Sequence, residues 1–328
     1  MDAPRFVHEH EDFAALVDGA ARHVGIAVAL VEKDYWVTHT LWALQQSGLE
    51  IWFKGGTSLS KGFGLIERFS EDLDLKVTAG SAEGIHDPSS WKSKKKGAIA
   101  ARKAFFEAIA AFVDVPGCRL ELDDFAPEDM ALTAEIRVVV PSGVVAALAY
   151  PNRPYVLLEL GTARVDPAVQ RDLTSWVHDH LHRLQLAAHF LDNRPRAVRC
   201  LHPWVTAMEK LDAIKRRWGR EEFEPAGFVR HFDDLASIIR RTSSDDLPPS
   251  FDSLTALAAA VGVALDATHP AFNQDADIER HALLQQAYDA IGPMFWGARP
   301  TLNETLAELR RWLGHFDGAS VGSAHSSP

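Results

Sequence analysis

Phe53-Lys54-Gly55-Gly56-Thr57-Ser58-Leu59-Ser60-Lys61, followed by Arg68-Phe69-Ser70-Glu71-Asp72-Leu73-Asp74-Leu75, is the stretch on which the reading of this 328-residue chain turns. Residues 49–54 are a short β-like run ending on Gly55-Gly56, and residues 57–69 read as a short helix. Residues 72–77 alternate apolar and polar, the period of a strand with one face buried. Glycines let a backbone approach a phosphate, and the helix that follows offers free N–H groups and the positive end of its dipole. Gly55, Gly56, Thr57, Ser58 and Lys61 are therefore candidate nucleotide-phosphate contacts. Asp72 and Asp74, one residue apart on a strand, project from the same face. Two carboxylates held that close are costly unless a cation shares them, and hard oxygen ligands suit Mg²⁺, which also binds nucleotide phosphates. A phosphate cradle beside such a pair is the arrangement of two-metal nucleotidyl transfer from a nucleoside triphosphate. Glu159, an acid inside the apolar strand 155–160, is the best third ligand, and Glu135 is the second choice because Arg137 is a ready ion-pair partner on its own face.

Working outward, residues 9–48 read as helices, with Gly48 as a stop. Residues 80–98 are a polar loop, residues 99–113 an amphipathic helix, and 119–122, 132–140 and 155–160 three further strands of a small mixed or antiparallel sheet. From residue 168 the pattern is helical to the end. The expected architecture is α+β: residues 1–165 as a domain of small mixed sheet and flanking helices, 166–317 as a helical domain, and 318–328 as a disordered tail.

The two parts of the quoted stretch resemble the polymerase-β-type nucleotidyltransferase fold. Three features together resemble the AbiE-type (AbiEii/AbiGii) nucleotidyltransferase toxins of type IV toxin–antitoxin systems: the Gly-Gly to Asp-Leu-Asp stretch, Glu32-Lys33-Asp34-Tyr35-Trp36 ahead of it, and the later pair Met208-Glu209-Lys210-Leu211-Asp212-Ala213 and Arg230-His231-Phe232-Asp233-Asp234-Leu235. That resemblance implies metal-dependent transfer of a nucleotide, with Lys210 reaching the triphosphate and Asp234 completing the pocket. It also implies an RNA acceptor, the tRNA 3′ end first among them, with translation and growth inhibited as a result. A cognate antitoxin is implied too, either a winged-helix regulator or a kinase acting on the toxin. Glu159 and Asp234 both stand as candidates for deprotonating the acceptor hydroxyl.

Composition narrows the rest. A net charge of −11 excludes a general DNA-coating protein, so RNA contact falls to local clusters: Lys94, Lys95 and Lys96 in one, Arg216 and Arg217 in another, with Trp91 and Trp218 interleaved. Two cysteines without CxxC spacing exclude a disulfide framework and a Cys-rich zinc module. His178 and His182 share a helix face, but no further ligand is in register, so a polar helix face is the expectation. No G-x-S-x-G hydrolase elbow and no P-loop order occur. No apolar run is long enough to cross a bilayer, and the charged start lacks the apolar core of a signal peptide; a cytoplasmic monomer is expected. Ser70, two residues before Asp72, is a candidate regulatory site, because phosphorylation there would set about −1.5 to −2 charge beside the carboxylates.

Overall fold

A computed structural model describes residues 5–70, 72–127, 130–148, 152–161 and 165–316. The chain forms two compact units: Met1–Gly62 with Phe69–Leu201, and Phe63–Arg68 with His202–Pro328. The boundary expected near 165 thus lies inside the first unit, and the expected tail at 318–328 lies outside the described residues.

In the first unit, α1 (Phe13–Val24) and α2 (Val28–Gln46) precede β1 (Glu50–Lys54), α3 (Gly55–Lys61) and β2 (Asp72–Thr78). Next come α4 (Lys96–Phe112), β3 (Arg119–Ala126), β4 (Thr133–Val139), α5 (Gly143–Ala146) and β5 (Val156–Gly161). β6 (Ala168–Arg171), α6 (Trp176–Arg183) and β7 (Val198–Leu201) close the unit. The strands form one mixed sheet in the order β3-β4-β5-β2-β1-β7-β6. β1 pairs antiparallel with β2 and parallel with β7, and β2 pairs parallel with β5. Alternation decides the faces: Ile51, Phe53, Leu73, Leu75, Leu158 and Leu160 are buried, while the residues between them carry the polar face.

Two expectations are corrected. The helix expected over 57–69 starts at Gly55 and ends at Lys61, because Gly62 and the left-handed Gly64 (φ 63°) interrupt it. The region after 168 is not wholly helical, since β6 and β7 are four-residue strands, too short to show a period, and β7 is fixed by pairing with β1.

α2 is buried on every face, so its polar residues need partners within the protein. Lys33 Nζ donates to the Arg153 carbonyl (2.7 Å), and Asp34 Oδ1 accepts from Lys61 Nζ (2.5 Å). Tyr35 Oη accepts from Asn193 Nδ2 (3.0 Å) and meets His8 Nδ1 (2.7 Å); Asn193 also bonds His39 and His178. Burial lowers all three of these histidines, His8 and His178 to about 4, so the network is held by neutral rings. His178 is thereby committed to Ser175 and Asn193, while His182 on the same helix is exposed.

The second unit contains α7 (Pro203–Trp218), α8 (Arg230–Arg241), α9 (Leu254–Val261), α10 (Ile278–Ala290) and α11 (Leu302–Gly314). Trp204, Met208, Leu211, Phe232, Leu235 and Leu309 fill its core. Two adjacent aspartates on α8 face different partners. Asp233 accepts from Arg299 Nη2 (2.7 Å) and Tyr288 Oη (2.6 Å). Asp234 accepts a bidentate Arg68 (2.8 Å to each oxygen) and Lys210 Nζ (2.6 Å). Among the described residues, no single helix is long and apolar enough to cross a membrane.

Candidate active site

The Gly-Gly turn is shaped by what lies against it. Gly55 has φ 75°, and a Cβ built there would stand 1.8 Å from Asp74 Oδ2, so only glycine lets this carboxylate sit against the turn. Asp74 is opposite Lys54 on β1 and Glu159 on β5, and Glu159 is opposite Glu135 on β4. These four side chains form a row across the polar face of the sheet. Asp72 lies on the same face two residues back along β2. The Glu159 carboxyl is pushed up to about 8, first by burial, then by the charges of Asp74 and Asp72 and a hydrogen bond to Asp74. Three carboxylates on one face, with the cost of ionising Glu159 raised by the other two, offer hard oxygen donors of the kind a divalent cation takes. Among the described residues, no three His, Cys, Asp or Glu side chains already converge as a closed ligand set. Asp72 Oδ1 instead accepts from Arg153 Nη1 at 2.5 Å.

The hydroxyls of α3 divide. Thr57 Oγ1 donates to the carbonyls of Ser70 (2.9 Å) and Asp72 (2.7 Å), tying the turn to the start of β2. Ser58 is 2% exposed, and its hydroxyl is buried against the Cys200 thiol of β7. Lys61 is directed to α2 and α6: its ammonium is buried between Asp34 and the Thr174 carbonyl (2.9 Å), where it braces α3. Asp34 also accepts from the Trp176 amide (3.0 Å). Lys33-Asp34 is thus a support on which both α3 and the Arg153 segment rest.

In the second unit, Asp234 is fully buried, and Arg68 and Lys210, 3% and 8% exposed at their side chains, hold its carboxyl well below the usual carboxylate range against the opposing effect of burial. Arg68 and Arg153 carry no mark in the sequence of the carboxylates they meet.

The basic clusters differ in character. Lys94, Lys95 and Lys96 are exposed, in the loop and first turn of α4. Beneath them, the buried Arg102 holds that loop through the carbonyls of Ser90 (2.9 Å), Ser93 (3.1 Å) and Met130 (2.7 Å). Arg216 is exposed and paired with Asp212 (2.9 Å). Arg217 donates to the Gly227 carbonyl (2.5 Å). Trp218 is core, packed on Phe223 and His281, and Trp91 lies against Phe105 and Phe106.

Comparison with known proteins bears on this arrangement. The family model described as the nucleotidyl transferase AbiEii toxin of type IV toxin–antitoxin systems matches residues 40–312. No curated protein matches. Among solved structures, MenT4, a nucleotidyltransferase toxin from Mycobacterium tuberculosis H37Rv, is similar at 15% identity and a TM-score of 0.39, covering 92% of this chain and 98% of that one, a likeness too slight to bear on function. The family match takes in β1, the Gly-Gly turn, the carboxylate row and α7 and α8. The chain belongs to the AbiEii nucleotidyltransferase toxin family of type IV toxin–antitoxin systems.

Proposed function

We propose that the chain transfers a nucleotide from a nucleoside triphosphate to an RNA acceptor, the 3′ end of tRNA, and so inhibits translation. The observation that carries this reading is the row of carboxylates packed against the Gly55 turn. The acceptor hydroxyl oxygen forms a new bond to the α-phosphorus, the bond from that phosphorus to the β-phosphate bridging oxygen breaks, and pyrophosphate leaves. Asp72, Asp74 and Glu159 would hold Mg²⁺, which supplies neutralisation of phosphate charge when bound. Gly55, Gly56 and the Ser58 hydroxyl at the first turn of α3 receive the phosphates. Lys210, its ammonium oriented by Asp234, serves to neutralise triphosphate charge. Both Asp234 oxygens are taken by Arg68 and Lys210, which favours Glu159, in its ionised form, as the proposed acceptor of the hydroxyl proton.

Lys94, Lys95, Lys96, Arg216 and Arg217 are proposed as contacts to the RNA backbone. Ser70 is the proposed control point for an antitoxin that acts as a kinase, because its carbonyl and that of Asp72 share the Thr57 hydroxyl. A phosphate at Ser70 would sit beside the carboxylates and repel the triphosphate.

The acceptor is tested by incubating the protein with each α-³²P-labelled triphosphate, Mg²⁺ and total tRNA, either intact or with its 3′ diol destroyed by periodate. Label on intact tRNA and none on the oxidised tRNA is expected. Label that persists after oxidation, or that appears only on protein or a small molecule, contradicts the acceptor.

A further inference from the structure

The polar face that carries Asp74 continues, on the other side of β1, into a group of residues that the mechanism leaves unused. Trp52 lies two residues before Lys54 on β1 and shares its face. Trp52 is directly opposite Lys76 on β2 and Arg199 on β7. The three side chains are therefore neighbours in one line across β2, β1 and β7. The indole is a platform for two cations: Lys76 Nζ is 5.0 Å from its ring centroid and Arg199 Cζ 4.8 Å. The tryptophan is half-buried and the Arg199 side chain is 42% exposed. Glu50 is the acid beside them, and its nearest oxygen stands 3.4 Å from Arg199 Nη2. The opposite face of the same strand, Ile51 and Phe53, is core, so the hydrophobic need of β1 is met without Trp52.

We propose that Trp52, Lys76 and Arg199 bind the single-stranded RNA that presents the acceptor hydroxyl, with a base stacked on the indole and its phosphates on the two cations. This rests on the reading of RNA as acceptor. Three arguments carry it. In a chain of net charge −11, a half-buried aromatic ring flanked by two cations is local positive charge with a stacking surface, the combination that single-stranded nucleic acid requires. A base that stacks on the indole replaces a cation–π contact and releases that cation to meet a phosphate. The position also fits: two residues of strand and one strand spacing put Trp52 about 8 Å from Asp74, near enough for neighbouring nucleotides of one strand to reach both. The group extends from there toward β7, away from the carboxylates, as a strand leaving the reacting end would, and not around them as a triphosphate would.

Binding of a fluorescein-labelled single-stranded RNA oligomer and of a fluorescent triphosphate analogue, each followed by anisotropy, tests this in the full chain. W52A is expected to weaken RNA binding roughly 5- to 100-fold and W52F much less. K76A and R199A are each expected to lower the salt slope of RNA binding by about one. Triphosphate affinity stays unchanged in all four. If W52A does not fold, W52F together with the K76A/R199A double variant decides. RNA affinity unchanged in folded variants overturns the proposal, and so does a loss confined to the triphosphate. Wild-type protein that binds no RNA yet labels another acceptor removes the acceptor reading and this proposal with it. RNA binding indifferent to all the variants removes this proposal alone.

Discussion

Gly55→Ala is expected to lower nucleotide transfer by at least about 100-fold, because misplacing a reacting group by an ångström costs that much. The added Cβ would stand 1.8 Å from Asp74 Oδ2 and 2.8 Å from its Cγ, so the carboxylate must leave the row it forms with Glu159. The left-handed φ of 75° adds about 1–3 kcal/mol of backbone strain for any other residue. Transfer rate and urea midpoint are measured together: the rate falls far more than the modest loss of stability explains. A variant with wild-type rate shows that the Asp74 position does not matter.

Asp234→Ala carries the largest expected effect on stability, about 3–5 kcal/mol. The carboxylate is fully buried between Arg68 and Lys210, and its removal takes away the anion that both buried cations meet. The loss is that of a buried charge pairing, so Asp234→Ala is expected to lower the urea midpoint far more than Asp212→Ala, whose pair with Arg216 is exposed. Equal, small losses for the two variants contradict this account of the second unit.

What the sequence disclosed was local. The period of two places Asp72 and Asp74 on one face with Leu73 and Leu75 buried beneath them, and Glu159 declares itself as an acid in an apolar strand. The α+β class follows from the same alternation. What stayed hidden depends on contacts distant in sequence. β6 and β7 are four residues each and are fixed by pairing alone, and their absence from the reading moved the expected boundary from after Leu201 to 165. Lys61 reads as a phosphate contact from its position at the end of α3, but its ammonium is turned to Asp34, and nothing local announces that pairing. Arg153, in a segment without periodicity, is aimed at Asp72 by Lys33, which holds its carbonyl from the buried face of α2. Trp52 lies in a β-like run whose sequence does not say which strands flank it, and the register shows it beside Lys76 and Arg199 on the polar face.

The central claim is that Asp72, Asp74 and Glu159 carry metal-dependent nucleotide transfer. Its most direct test is the rate of label transfer from an α-³²P triphosphate to tRNA by wild-type protein and by Asp74→Asn, each titrated with Mg²⁺, with folding checked by circular dichroism. The account predicts transfer by the wild type that vanishes when the cation is chelated, and a folded Asp74→Asn protein slower by roughly 1,000-fold or more, the scale on which preorganised charge stabilisation acts. Undiminished transfer by Asp74→Asn, or transfer by the wild type that persists without a divalent cation, would contradict it.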